Sequence, residues 1–208
     1  MKDIHTEILT EKQKGLLPLV KLFSKDYYLA GGTAVALQIG HRRSIDFDLF
    51  SDKVVYPKKI REKIIKAGYK IDKVLNEEEG QGHYIVQGVK LTFYTYPYKV
   101  EAGLKFGTVI KMPDLITLAA MKALAISERG KWKDYVDLYF MMKNHFAVKD
   151  ILKRTMELFG SVYNEKMFLE QLVYFDDISY EEEVEYLVEE VINDDIKKYL
   201  IERATERI

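Results

Sequence analysis

Residues Leu29–Phe50 read LAGGTAVALQIGHRRSIDFDLF, and the fold is decided there. An apolar run, Tyr27 to Ala30, has the look of a short strand and ends at Gly31-Gly32-Thr33. A two-turn helix is predicted from Thr33 to Ile39, closed by Gly40, with His41, Arg42 and Arg43 just beyond it. A second apolar run from Ile45 to Phe50 carries Asp46 and Asp48 in alternation with Ile45, Phe47 and Leu49. Ionised carboxylates are costly to desolvate, so two of them in a buried strand need a reason. On a strand, residues two apart face the same side, with their Cα atoms roughly 6.5–7 Å apart. Asp46 and Asp48 can therefore share one cation or bracket two. Mg²⁺ suits them, being a hard ion that takes carboxylate oxygens together with substrate phosphates. The two glycines let a phosphate approach the main chain without meeting a Cβ. The helix that follows aims N–H groups and partial positive charge at the same place. Thr33 can cap that helix or donate its hydroxyl to a phosphate.

Composition narrows the class. The chain has 208 residues, 48% of them apolar, enough to bury a real core in one large domain or two small ones. With 32 basic and 33 acidic side chains there is no global attraction to nucleic acid or anionic membrane, so any polyanion must be met by a local patch. The absence of cysteine excludes disulfides and thiolate zinc sites. The amino-terminal stretch lacks the apolar core of a signal peptide, and no stretch is long and apolar enough to span a bilayer. A cytoplasmic protein without membrane partners is expected.

Outward from the glycine turn, a helix is predicted over Glu7–Phe23 and another from Pro57 to Gly68, with proline at its start. Tyr69–Tyr98 is strand-rich, with turns at Gly80–Gly82 and Gln87-Gly88. Beyond Gly107 the period changes: Pro113 and Asp114 open a helix, a second covers Trp132–Lys143, and everything from Lys149 to Ile208 reads helical. Ser179 and Glu182 have the spacing of a capping box for an acidic carboxyl-terminal helix. The expectation is an α+β core at residues 1–112, a mixed sheet flanked by helices, then a helical domain at 113–208, with the ligand in a cleft between them.

The joint pattern, Gly-Gly-Thr and then Ser-x-Asp-x-Asp-Leu-Phe, resembles the nucleotidyltransferase fold shared with DNA polymerase beta. More narrowly it resembles the AbiEii/AbiGii family of abortive-infection nucleotidyltransferase toxins. MKALAISERGKWKDYVDLYFM is similar to that family's second motif, a lysine-bearing helix followed by Arg-x-Lys and Asp-x-x-Asp-Leu. The resemblance implies two-metal nucleotidyl transfer from an NTP. Asp46 and Asp48 would hold Mg²⁺ or Mn²⁺, and Gly31, Gly32, Thr33 and Arg43 would bind nucleotide. Lys122, Arg129 and Lys131 would neutralise the triphosphate, and Asp134 is the candidate general base. It also implies an RNA acceptor such as the 3′ end of a tRNA, and a separate antitoxin protein as partner.

Competing expectations stand beside these. Asp46 and Asp48 can instead pair with Arg42, Arg43 or nearby lysines, Lys133 with Asp137, and Asp134 with Arg129 or Lys131. Lys122 lies in an otherwise apolar helical run, where an unpaired ammonium is expensive, and a triphosphate would satisfy it. His41 can touch phosphate or cap the preceding helix. Nucleotidyltransferases usually carry a third carboxylate on a neighbouring strand. The matching strand, Gly88–Tyr96, has none, and the expected position falls to Lys90 or Thr92. That gap keeps open a non-catalytic nucleotide- or partner-binding module, and the same site could also serve small-molecule or protein nucleotidylation.

Overall fold

Thr10 opens the first helix. Its side chain accepts a hydrogen bond from the Gln13 amide while Gln13 reaches back to the Thr10 amide, the two halves of a capping box. The computed structural model describes residues 4–128 and 130–206. In it α1 runs Glu11–Leu22, and the residues before Thr10 form a separate 3-10 turn at Thr6–Ile8, so the expected helix from Glu7 is interrupted by that cap. Leu16, Leu19, Val20 and Phe23 bury one side of the segment. After β1 (Tyr28–Ala30), α2 begins at once at Gly31, two residues earlier than its pattern predicts, and ends at Ile39 with Gly40 in the left-handed conformation (φ 67°).

β2 (Phe47–Ser51) buries Phe47, Leu49 and Ser51 and leaves Asp48 and Phe50 half-buried on its other face. α3 (Pro57–Lys66) precedes three strands, β3 (Ile71–Glu78), β4 (Gln81–Val86) and β5 (Val89–Thr95). The five form one mixed sheet in the order β1-β2-β5-β4-β3. β2 and β5 are parallel and the other neighbours antiparallel. Leu29, Leu49, Tyr84, Leu91 and Phe93 build the core under one face, with Phe23 packed on Phe93 at 4.7 Å between ring centroids. A short hairpin, β6 (Leu104–Phe106) with β7 (Ile110–Met112), follows. Its three-residue strands are too short to show a period, which is why the sequence does not reveal them.

The chain divides into two compact units between Asp114 and Leu115. The second unit consists of α4 (Leu115–Glu128), α5 (Trp132–Asn144), α6 (Val148–Phe159), α7 (Glu165–Gln171) and α8 (Asn193–Thr205). α4 and α5 are buried over most of their length, as their near-continuous apolar sequences require. Residues 172–192 are not helical, so the acidic helix expected there is absent, and Ser179 caps nothing. The Ser179 main chain instead bridges to the α4–α5 junction: its N–H donates to the Gly130 carbonyl (2.8 Å) and its carbonyl accepts from Trp132 N–H (3.1 Å). Crowding of like charges at Glu181–Glu183, Glu185, Glu189 and Glu190 works against a helix in this stretch. Among the described residues no helix is long and apolar enough to cross a membrane.

Candidate active site

The start of α2 and the strand β2 meet at Gly31. Its φ of 66° is a conformation that side-chain-bearing residues rarely adopt, and a Cβ there would overlap the Asp48 carboxylate. Asp48 thus lies against bare main chain where the first turn of α2 leaves N–H groups without partners inside the helix. Gly32 marks a second close approach, because a Cβ would fall 2.6 Å from the Arg42 guanidinium, which would have to shift. Arg42 is buried, and its Nη1 donates to the Arg43 carbonyl at 2.9 Å.

Thr33 is buried too, and its hydroxyl is used within the protein. It donates to the main-chain carbonyl of Asp46, and it lies 2.9 Å from the Ser44 hydroxyl in a second hydrogen bond. Gln13 Nε2 donates to the Ser44 carbonyl at 2.9 Å. The segment carrying Asp46 is therefore fixed from α2 and α1 together. Arg43 Nη1 donates to the Ile8 carbonyl at 3.3 Å.

Sheet register determines what faces the carboxylates. Asp48 is opposite Ala30 on one side and Thr92 on the other, and Thr92 is opposite His83 on β4. Asp48, Thr92 and His83 form one row across three strands. The Lys90 ammonium lies 3.5 Å from an Asp46 carboxylate oxygen, both side chains about one-third exposed (35%). The two candidates for the missing third carboxylate are thereby separated, with Thr92 beside Asp48 and Lys90 against Asp46. His83 was not singled out from sequence. It sits with Nδ1 3.4 Å from the Thr92 hydroxyl and Nε2 3.1 Å from Gln81 Oε1. Burial, and then the positive charge of Lys90, hold its pKa below the ordinary 6.5, against the opposing pull of Asp48 and Glu78. A signal for it existed. The two-residue turn Gln87-Gly88 pairs Val86 with Val89, and counting back along the hairpin brings His83 to Thr92.

Among the described residues no group of three or more histidines and carboxylates gathers into a metal site. Asp46 and Asp48 still fit a hard divalent ion. Both offer oxygen donors, and the Asp48 carboxylate packs against the bare main chain of Gly31 at the amino-terminal end of α2, the kind of helix end that favours the phosphates which usually complete such a shell.

In the second unit, Lys122 of α4 is buried and ion-paired with both Asp134 and Asp137 of α5, the latter at 2.8 Å. The charge inside the apolar helix is matched by carboxylates of the same unit. Lys131 and Lys133 share Glu182, at 2.8 and 3.5 Å. The local pairings expected for Asp137 and Lys133 are thus replaced by Lys122 and Glu182. Hydrogen bonding from Lys131, followed by the charges of Lys131 and Lys133, lowers the Glu182 pKa despite partial burial. Arg129 lies outside the described residues.

Comparison with known proteins bears on this arrangement. An uncharacterized protein of Aquifex aeolicus (strain VF5) is 32% identical over 206 residues, covering 91% of this chain and 96% of that protein. JHP933 from Helicobacter pylori superposes with a TM-score of 0.58 at 18% identity, covering 94% of this chain and 91% of its own. The nucleotidyltransferase toxin MenT4 from Mycobacterium tuberculosis H37Rv gives 0.59 at 12% identity, covering 93% and 82%. These superpositions show a shared α+β nucleotidyltransferase fold, with a mixed sheet, flanking helices and a helical carboxyl-terminal half. The family model for the nucleotidyl transferase AbiEii toxin of type IV toxin–antitoxin systems matches residues 19–205, and the chain belongs to that family.

Proposed function

We propose that this protein is an active nucleotidyltransferase that transfers a nucleoside monophosphate from an NTP to an acceptor hydroxyl, with RNA, such as the 3′ end of a tRNA, as the acceptor. The observation that carries the reading is the contact of Asp48 with Gly31. A carboxylate and the amino-terminal end of a helix meet where no side chain intervenes. The main-chain N–H groups of Gly31, Gly32 and Thr33 bind phosphate oxygens, and the helix end favours their charge. The Thr33 hydroxyl serves differently from its sequence expectation: it holds Asp46 in place. Arg43, the nucleotide-binding candidate, hydrogen-bonds the Ile8 carbonyl through Nη1, while the guanidinium beside Gly32 is that of Arg42.

Asp46 and Asp48 are the residues that would hold Mg²⁺ or Mn²⁺, whose charge, when bound, offsets that of the triphosphate and the leaving pyrophosphate. Lys90 balances Asp46 in the absence of substrate and is placed to turn to a phosphate oxygen. The family motif gives the triphosphate Lys122, Arg129 and Lys131. Lys131 suits this role, since an exposed carboxylate partner exchanges readily for phosphate. Lys122, held between two carboxylates, is suited to fixing Asp134 and Asp137 on α5. Family membership also supports an antitoxin protein as partner.

The test incubates the protein with Mg²⁺, each α-labelled NTP and total RNA, beside the D46N/D48N variant. Label on RNA that vanishes in the variant supports the reading and identifies the base. Label on protein points to protein nucleotidylation, and label on a small molecule to that class of acceptor. The second reading, a non-catalytic nucleotide-binding module, is favoured by one observation, the threonine where a third carboxylate is expected beside Asp48. It predicts Mg²⁺-dependent NTP binding without pyrophosphate release.

A further inference from the structure

A nucleotidyltransferase must remove a proton from the attacking hydroxyl, and the strand next to Asp48 offers no carboxylate for it. We propose that Thr92 and His83 replace it as a two-residue relay: Thr92 Oγ1 receives the acceptor's proton as its own proton passes to His83 Nδ1. The proposal rests on the transferase reading above.

Geometry supplies the argument. Thr92 occupies the register position directly opposite Asp48, and His83 the position opposite Thr92, all on one face of the sheet. Gln81 Oε1 only accepts, so its contact with Nε2 places the ring proton there and leaves the Nδ1 lone pair for the Thr92 hydroxyl. The tautomer required of a base is therefore the one these partners select.

The charged and polar groups around the ring are Asn76 and Glu78 of β3, Gln81 of β4, Lys90 of β5 and Asp48 of β2. Burial and Lys90 keep the imidazole neutral at neutral pH, ready to accept a proton. In the step, the acceptor oxygen forms a bond to the α-phosphorus and the bond from that phosphorus to the bridging oxygen of pyrophosphate breaks. Pyrophosphate leaves with the electron pair, and the acceptor's proton is balanced by one on His83, which becomes imidazolium.

The experiment measures single-turnover transfer from α-labelled NTP to total RNA across pH 5–9 for wild type, H83Q, T92V and T92S, with NTP affinity determined for each. Wild type should show a rate that rises with pH to a plateau, with its inflection below 6.5. H83Q and T92V should lose about 100-fold in rate together with the inflection, the low end of what a positioned base contributes. T92S, which keeps the hydroxyl, should retain both, and NTP affinity should stay within about two-fold in all four. An NMR titration of the four histidine rings adds a reading independent of activity. His83 should titrate below 6.5 as the Nε2-protonated tautomer, and its Nδ1 shift should move in T92V. An unchanged inflection in H83Q, a uniform loss at every pH, or a His83 ring protonated on Nδ1 overturns the relay while leaving the transferase reading intact. No transfer by wild type with any NTP overturns both.

Discussion

A single methyl group at residue 31 would land on the Asp48 carboxylate and would also hold an L side chain at positive φ. Gly31→Ala is therefore expected to cost about 1–2 kcal/mol of stability from the backbone conformation alone. It should also abolish Mg²⁺-dependent nucleotide binding, read by urea unfolding and by calorimetric titration. Gly15 is the contrasting case, exposed in the middle of α1 with open space where its Cβ would go. Gly15→Ala should raise stability by about 0.5–1 kcal/mol and leave nucleotide affinity untouched. Thr33→Val removes a buried hydroxyl from the Asp46 carbonyl and from Ser44, so a loss of about 1–3 kcal/mol is expected in the same unfolding assay. At this scale the glycines and aspartates were legible because their chemistry is unusual for their positions. Thr33 was legible as important but not for its task, since a hydroxyl's partner 13 residues away is set by folding. His83 is not legible along the chain because its partner, Thr92, is a neighbour across the sheet.

Between elements, α4 and α5 are joined by one buried cation and two buried carboxylates. Lys122→Met would leave Asp134 and Asp137 without that cation and should lower stability by about 3–5 kcal/mol, whereas Asp137→Asn leaves a matched pair and should cost distinctly less. Thermal melts of the two variants side by side check the order. Glu182 gives a pH-dependent counterpart. Its pKa is lowered in the folded state, so its contribution is fully present above the unfolded value of 4.5 and is lost as pH falls through the lower folded value. The Tm difference between wild type and E182Q should accordingly be present at pH 7 and shrink toward zero in acid. Elements with a long period or a strong punctuation mark were readable in advance: α3 behind Pro57, and β4–β5 around Gln87-Gly88. The β6–β7 hairpin and the non-helical 172–192 stretch were not. In the first the strands are too short to carry a period, and in the second a capping-box spacing occurs without a helix to cap.

Over the whole molecule, near-neutrality conceals an uneven division. Residues 1–114 carry 19 basic and 14 acidic side chains, while 115–208 carry 13 and 19. From Met167 to Ile196 there is no lysine or arginine at all. An RNA acceptor should therefore be held by few phosphate contacts, and the log–log dependence of its affinity on salt should be shallow, about −3 for four or five phosphates at −0.7 each. Fluorescence anisotropy between 50 and 300 mM salt measures it, and a slope beyond about −6 would contradict this charge division. The parallel pairing of β2 with β5 acts on another axis, time. Asp48 and Thr92 are register partners 44 residues apart. At about 5–20 residues per second, a ribosome adds the second some 2–9 s after the first. Through that interval the nascent chain carries its carboxylates without the strand beside them, and the row Asp48–Thr92–His83 is completed only once β5 has emerged and slipped in between β2 and β4. A chain halted before residue 92 therefore carries Asp46 and Asp48 but no row, and the order of synthesis makes β5 the element that completes it.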